Sequence, residues 1–147
     1  MEEFFLLVLA GQFLAGCAFS PSQLNADRTR YNGLIVVVRG FVKLTPETHV
    51  LYESRALGDE VQRGVASGSR DFGLKKYEKY CLTIANPELL YKNSSSVNTK
   101  TITFQGKFIN NYQIGQTVDR GACSLPTAIV IDNIALARRY PSLLPQK

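Results

Sequence analysis

The apolar pattern predicts a long first strand over residues 31–44, which read YNGLIVVVRGFVKL. Every second residue from Val36 to Leu44 is small or apolar, and this spacing is typical of a buried strand face. The positions between them begin with Ile35 and end with Lys43, so the second face turns basic toward its end. Gly40 inside the segment predicts a bulge or a sharp bend.

Four later segments also have strand character: residues 49–54, 80–85, 100–109 and 127–137. Asn86 and Pro87 predict the N-cap and first residue of a short helix that ends at Lys92. The Gly-rich residues 55–79 predict a long excursion with weak helix. The resulting order is three strands, a short helix and two more strands.

This order of elements resembles the OB-fold, a five-stranded barrel with a helix between its third and fourth strands. The resemblance depends on that order and on the patterns VVVRGFV, ITFQGKF and AIVIDNI. It implies a mainly β domain over residues 31–140, built as a small OB-like five-stranded barrel with one short helix. A small β-sandwich and an α+β sheet are the alternatives.

The chain begins with a short apolar run that ends in a cysteine. FFLLVLAGQFL, residues 4–14, is too short to cross a bilayer and suits the apolar region of a signal peptide. The following sequence, Leu14-Ala15-Gly16-Cys17, resembles the lipobox of bacterial lipoproteins. The resemblance implies a signal peptide over residues 1–16 and a diacylglyceryl thioether on Cys17. The segment after Cys17 is polar and contains a proline, so it predicts a short tether over residues 17–30.

The resemblance to lipoproteins also implies a location. In that family an Asp after the lipidated cysteine usually indicates retention in the inner membrane, whereas this chain has Ala18. We therefore expect an outer-membrane anchor, with the protein facing the periplasm. Glu2 and Glu3 depart from the basic start of such signals. The alternative is a buried N-terminal helix with a core cysteine.

Two cysteines remain if Cys17 is lipidated. Cys81 opens the third predicted strand, and Cys123 lies just before the fifth. In an oxidising compartment they could form a disulfide, closing a loop of about 40 residues. Two separate buried thiols are the alternative.

The charge favours anionic partners. The formal net charge is +5 and becomes +7 when Glu2 and Glu3 are removed with the signal peptide. OB barrels bind nucleic-acid strands on aromatic and basic residues, and they also bind oligosaccharides. The candidate binding residues are Arg39, Phe41, Lys43, Tyr52, Lys75, Lys76, Tyr77 and Lys107. An ordinary solvated basic face is the alternative.

No sequence motif points to catalysis or to a metal. His49 is the single histidine, whereas a zinc site needs several ligands at set spacings. The motifs GxSxG, HExxH and the Walker-type phosphate loop do not occur. The sequence therefore predicts a non-enzymatic protein without a metal or cofactor.

These features predict a lipid-anchored envelope lipoprotein that binds a protein or cell-envelope partner, with residues 55–79 as the contact surface. No nucleic acid is expected as its partner. One alternative is an immunity or inhibitor lipoprotein directed against an exported toxin. A second is a nucleic-acid-binding OB module, if Cys17 carries no lipid. A third is a hydrolase that uses His49.

Overall fold

Five strands close into a barrel in the order β1-β2-β3-β5-β4. The computed structural model describes residues 17–67, 74–112, 123 and 125–143. The strands are β1 (Ile35–Thr45), β2 (Thr48–Tyr52), β3 (Cys81–Ile84), β4 (Thr101–Ile109) and β5 (Ala128–Ile131). β3 and β5 pair in parallel, and the other neighbours are antiparallel. The predicted OB-like barrel is confirmed, while the predicted signal peptide lies outside the described residues.

β1 pairs with two neighbouring strands, and Gly40 lies next to the position where its partner changes from β4 to β2. Up to Phe41 it pairs with β4, and from Phe41 to Thr45 it pairs with β2. The register continues through Gly40 without an extra residue. A Cβ atom on Gly40 would lie 2.5 Å from the carbonyl oxygen of Tyr52. Glycine therefore permits a close strand approach here, instead of the predicted bulge.

The main core fills the barrel with aliphatic and phenyl side chains. The predicted inner face of β1 is buried from Val36 to Leu44. Phe104 and Phe108 face the same interior from β4 and have no exposed surface. The helices add Leu24, Leu90, Val97 and Leu136 to this cluster. The period of two in the sequence therefore identifies the barrel interior correctly.

Several short helices surround the barrel, where the sequence predicted one short helix and weak helix within residues 55–79. The helices are α1 (Pro21–Ala26), α2 (Arg28–Tyr31), α3 (Arg55–Ala66), α4 (Leu74–Tyr77), α5 (Glu88–Lys92), α6 (Ser94–Val97) and α7 (Asn133–Arg139). The expected helix between the third and fourth strands corresponds to α5 and α6. The N-cap of α5 is Pro87, whereas the sequence predicted Asn86. The side chain of Asn86 instead donates to the backbone C=O of Ile131 and accepts from its N–H.

The last strand is shorter than the sequence predicts. β5 ends at Ile131, and the predicted strand residues from 133 onward belong to α7. The carboxylate of Asp132 accepts the backbone N–H groups of Ile134 and Ala135, and this N-cap starts the helix. Ala, Leu and Arg then dominate the segment and favour helix.

The predicted tether is largely part of the fold. Phe19 forms a parallel bridge with Val38 of β1. Ser20 and Gln23 form a capping box that begins α1, and Leu24 of that helix is 0% exposed. Burial of this apolar residue holds the segment on the barrel, so the free spacer is limited to the residues before Phe19.

A second, smaller core lies between α3 and the outer side of β1 and β2. Its buried members are Phe41, Val50, Tyr52, Val61, Tyr77 and Cys81. A Cβ atom on Gly58 of α3 would lie 2.9 Å from Cδ1 of Phe41, so the glycine lets the helix approach the sheet closely. Cys81 and Cys123 form a disulfide with a Cα–Cα distance of 5.9 Å, as predicted.

Candidate functional site

An open cleft of about 320 Å³ lies where the N-terminal segment meets the barrel. Its walls come from the chain before and within α1, from β1, from the end of β2 and from the start of β4. The lining residues are Ala18, Phe19, Ser20, Gln23, Arg39, Gly40, Glu53 and Thr101. Because the segment around Phe19 is hydrogen-bonded to β1, this cleft is a built feature of the fold.

Arg39 supplies the positive charge of the cleft. It is exposed on the outer side of β1, and its Nη1 donates a hydrogen bond of 3.1 Å to Oγ1 of Thr103 on β4. This bond orients the guanidinium along the sheet. A guanidinium has five N–H donors, so others can reach a ligand.

Glu53 supplies the negative charge. Its backbone N–H donates to the carbonyl of Tyr80, and its Oε1 accepts the hydroxyl of Ser22 at 2.8 Å. Its Oε2 is buried and has no hydrogen-bond partner among the described residues. Burying an acceptor without a donor costs free energy. Glu53 therefore brings to the cleft wall a carboxylate whose acceptor capacity is only partly used by the described donors.

The cleft suits a ligand that combines hydrogen-bond donors with acceptors. Glu53 can only accept when ionised, and Arg39 can only donate. A peptide segment or an amide-bearing polymer offers both kinds of group within a short distance. The cleft therefore offers both a donor and an acceptor to a polar ligand.

Three of the predicted binding residues are aromatic, and the structure buries them. Phe41 is 1% exposed, and Tyr52 and Tyr77 are also buried in the small core beneath α3. The hydroxyl of Tyr77 donates to Glu60 of that helix. The sequence placed Phe41 correctly on the outer face of β1, but α3 covers that face. These rings are therefore unavailable as a stacking platform.

The predicted basic residues are divided between two regions. Arg39 and Lys107 are exposed on the outer side of β1 and β4, and Lys43 is half-buried further along β1. Lys75 and Lys76 belong to α4, which contacts α3. Lys76 is exposed, with its Nζ 5.2 Å from the ring centroid of Tyr77. Arg39 alone among the predicted residues lines the cleft.

Glu53 and the N-terminal wall of the cleft were missed from the sequence. Glu53 directly follows β2 and carries no motif, and its partner Ser22 is 31 residues earlier in the chain. One signal was available: Ser20, Pro21 and Gln23 have the spacing of a capping box with proline at the first helical position. That pattern predicts a helix inside the supposed tether.

The rest of the described chain adds no metal centre. Within residues 17–67, 74–112, 123 and 125–143, no three His, Cys, Asp or Glu side chains are grouped to hold a metal. His49, the single histidine, instead packs near Tyr91, with 6.4 Å between the ring centroids. In the same part of the chain, no helix is long and apolar enough to cross a membrane.

None of the known protein families, curated proteins or solved structures compared with this chain matches it. The inference about function therefore depends on the geometry of the cleft and on the residues of the N-terminal segment.

Proposed function

We propose that this protein is a lipid-anchored lipoprotein of the bacterial envelope that acts as a non-enzymatic binding module. The observation that supports it best is that one described cysteine is free while the other two are paired. Cys17 is exposed and free, whereas Cys81 and Cys123 are bonded to each other. A disulfide is typical of an oxidising compartment, where an exposed spare thiol needs an explanation. A thioether-linked lipid on Cys17 provides one, and Ala18 favours the periplasmic side of the outer membrane.

The cleft is the proposed binding site of this module. Its lining begins at Ala18, directly after the cysteine proposed to carry the lipid, and it includes Glu53, whose carboxylate has one oxygen without a partner among the described residues. The partner is a protein or envelope polymer that donates an N–H group to Glu53 and presents an acceptor to Arg39. The basic surface favours an acidic partner. A role as an immunity or inhibitor protein against an exported toxin is a narrower form of the same proposal.

The nucleic-acid alternative loses its main physical support. It requires exposed aromatic rings on which bases stack. Phe41, Tyr52 and Tyr77, the rings expected to do this, are buried beneath or beside α3.

The test of the anchor is the mass and membrane partition of the expressed full chain. We expect the wild-type chain and the matched Ala18→Ser control to gain a lipid-sized mass and to fractionate with membranes. The Cys17→Ser variant should lose both properties. A wild-type chain that stays unmodified and soluble would overturn the proposal. Steeply salt-dependent binding of single-stranded nucleic acid by that chain would then favour the alternative module.

The test of the cleft is site-specific photo-crosslinking in living cells. A photoreactive residue replaces Gln23 at the cleft, and a control places it at exposed Ser95 of α6. We expect a discrete adduct from position 23 that Glu53→Gln weakens and Lys43→Gln leaves unchanged. An adduct that is equal in all these backgrounds would contradict a role of the cleft.

A further inference from the structure

Exposed apolar side chains are concentrated near the start of β1 and the start of α7. Among the described residues, the exposed large hydrophobic side chains are Leu34, Ile35 and Ile134, at 51%, 66% and 67%. Leu34 and Ile35 are adjacent in the chain, and α7, which contains Ile134, packs on β4. Single exposed apolar residues are common, whereas a group of them marks a contact surface.

A row across three strands joins Ile35 to a positive charge. Ile35 of β1 is opposite Lys107 of β4, which is opposite Val130 of β5. Directly opposed residues share one side of a sheet, so the three side chains lie together on the outside of the barrel. We call the surface formed by Ile35, Lys107 and Val130 the Ile35 face; exposed Leu34 precedes Ile35 in the chain, and exposed Ile134 follows β5 by three residues.

Exposed basic groups also lie on the same side of β1 and on α7. Arg39 is exposed further along the same side of β1, and Arg138 and Arg139 are exposed at the end of α7. Asp132, between β5 and α7, accepts the backbone N–H groups at the start of that helix. Exposed apolar side chains with surrounding cations are the combination that binds an anionic lipid surface.

The lipidated end of the chain leads toward the same face. The N–H of Phe19 donates to Val37 and the carbonyl of Phe19 accepts from Arg39, at 2.8 and 2.9 Å. This bridge is parallel, so residues before Phe19 run toward the start of β1, where Ile35 lies. Cys17 is two residues before Phe19, a reach of about 7 Å in extended chain.

We propose that the Ile35 face rests on the anionic surface of the membrane that receives the lipid. This inference depends on the lipoprotein proposed above, because the lipid on Cys17 brings the face to the bilayer. Because this spacer is so short, the lipid on Cys17 would hold the barrel in contact with the membrane. α6 lies next to the Leu44 end of β1, and a strand of 11 residues spans about 33 Å, so α6 is remote from Ile35.

The chain contains no tryptophan, so a single introduced tryptophan reports its own site. The full chain with Ile35→Trp is purified from membranes and reconstituted into vesicles of phosphatidylethanolamine and phosphatidylglycerol. Ser95→Trp in α6 is the matched control at the far end of the barrel. We expect brominated lipids to quench Ile35→Trp and to leave Ser95→Trp unquenched. Adding Lys107→Gln should weaken the preference for anionic vesicles about fivefold, because one basic residue is lost at the surface.

Intact mass, measured on the same samples, separates this inference from the proposed function. A lipid-sized mass together with quenching at position 35 supports both. A lipid-sized mass with equal behaviour of the two tryptophan variants overturns the Ile35 face alone. An unmodified mass with quenching on anionic vesicles retains the face and overturns the lipid anchor. An unmodified mass without quenching overturns both. A concentration-dependent blue shift without quenching assigns the face to a second copy of the chain and overturns the membrane contact.

Discussion

At the scale of single residues, two glycines decide how closely the strands approach each other. A Cβ atom on Gly40 would lie 2.5 Å from the carbonyl oxygen of Tyr52, and one on Gly106 would lie 2.3 Å from that of Val130. These neighbours are backbone atoms, so they cannot move aside as a flexible side chain would. We expect Gly40→Ala and Gly106→Ala each to lower the free energy of unfolding by about 1–3 kcal/mol.

Urea denaturation measures this loss, with Gln105→Ala on the exposed side of β4 as the control. That variant should change the stability by less than about 0.5 kcal/mol. Alanine at position 40 without measurable cost would show that the strands can separate there freely.

The stability of the fold at alkaline pH also depends on a single residue, Tyr52. Burial raises the pKa of the Tyr52 phenol above its ordinary value, and a hydrogen bond with Gln62 opposes this effect. The unfolded chain then loses this proton at a lower pH than the folded chain does. The neutral phenol of Tyr52 contributes fully to stability below its pKa in the unfolded chain, about 10. This contribution is lost as the pH rises through its pKa in the folded chain.

We therefore expect Tyr52→Phe to make the free energy of unfolding fall less steeply than in the wild type above about pH 10. Urea denaturation across a pH series measures the two slopes. Tyr80→Phe, at a half-buried tyrosine, controls for the loss of a hydroxyl group. Parallel curves for wild type and Tyr52→Phe would contradict this assignment.

At the scale of elements, the sequence predicts the strands better than the helices and segments that pack on them. Alternation identifies the inner faces of β1 and β4, since each strand meets one dry interior. It cannot show that α3 also covers the outer side at Phe41, because that contact joins distant parts of the chain. The cleft was missed for the same reason: Ser22 and Glu53 meet only in the folded protein. α7 was missed because IVIDNI continues the strand pattern past its cap at Asp132.

The disulfide is the element-scale connection between β3 and the chain that precedes β5. Cys81 and Cys123 are 42 residues apart in sequence. On the loop-entropy account, closing such a loop stabilises the fold by about 4 kcal/mol. We expect the double variant Cys81→Ser, Cys123→Ser to lose most of this amount in urea denaturation.

Cys17→Ser is the matched control for the disulfide variant, because Cys17 is exposed and free. It should leave the free energy of unfolding unchanged. A double variant as stable as this control would show that the small core beneath α3 holds β3 without the covalent link.

At the scale of the whole molecule, the N-terminal segment closes the barrel at its shortest seam. β3 and β5 have two paired positions, whereas β1 and β4 have seven. The amide of Asn25 in α1 spans this seam. Its Nδ2 donates to the carbonyls of Lys79 and Cys81 beside β3, and its Oδ1 accepts the hydroxyl of Thr127 before β5. The segment that would bear the lipid therefore also supports the closure of the barrel.

We expect Asn25→Ala to lower the free energy of unfolding by about 1–3 kcal/mol, because it leaves the fully buried hydroxyl of Thr127 without its acceptor. Hydrogen exchange should show the loss at the seam first. The amides of Thr83 and Ala85, which donate across it to Thr127 and Ile129, should exchange faster than those of β1 paired with β4. Asn133→Ala, at an exposed position of α7, is the matched control and should leave these rates unchanged. Uniform acceleration over all strands would instead mean that the barrel opens as one unit, with no separate role for the seam.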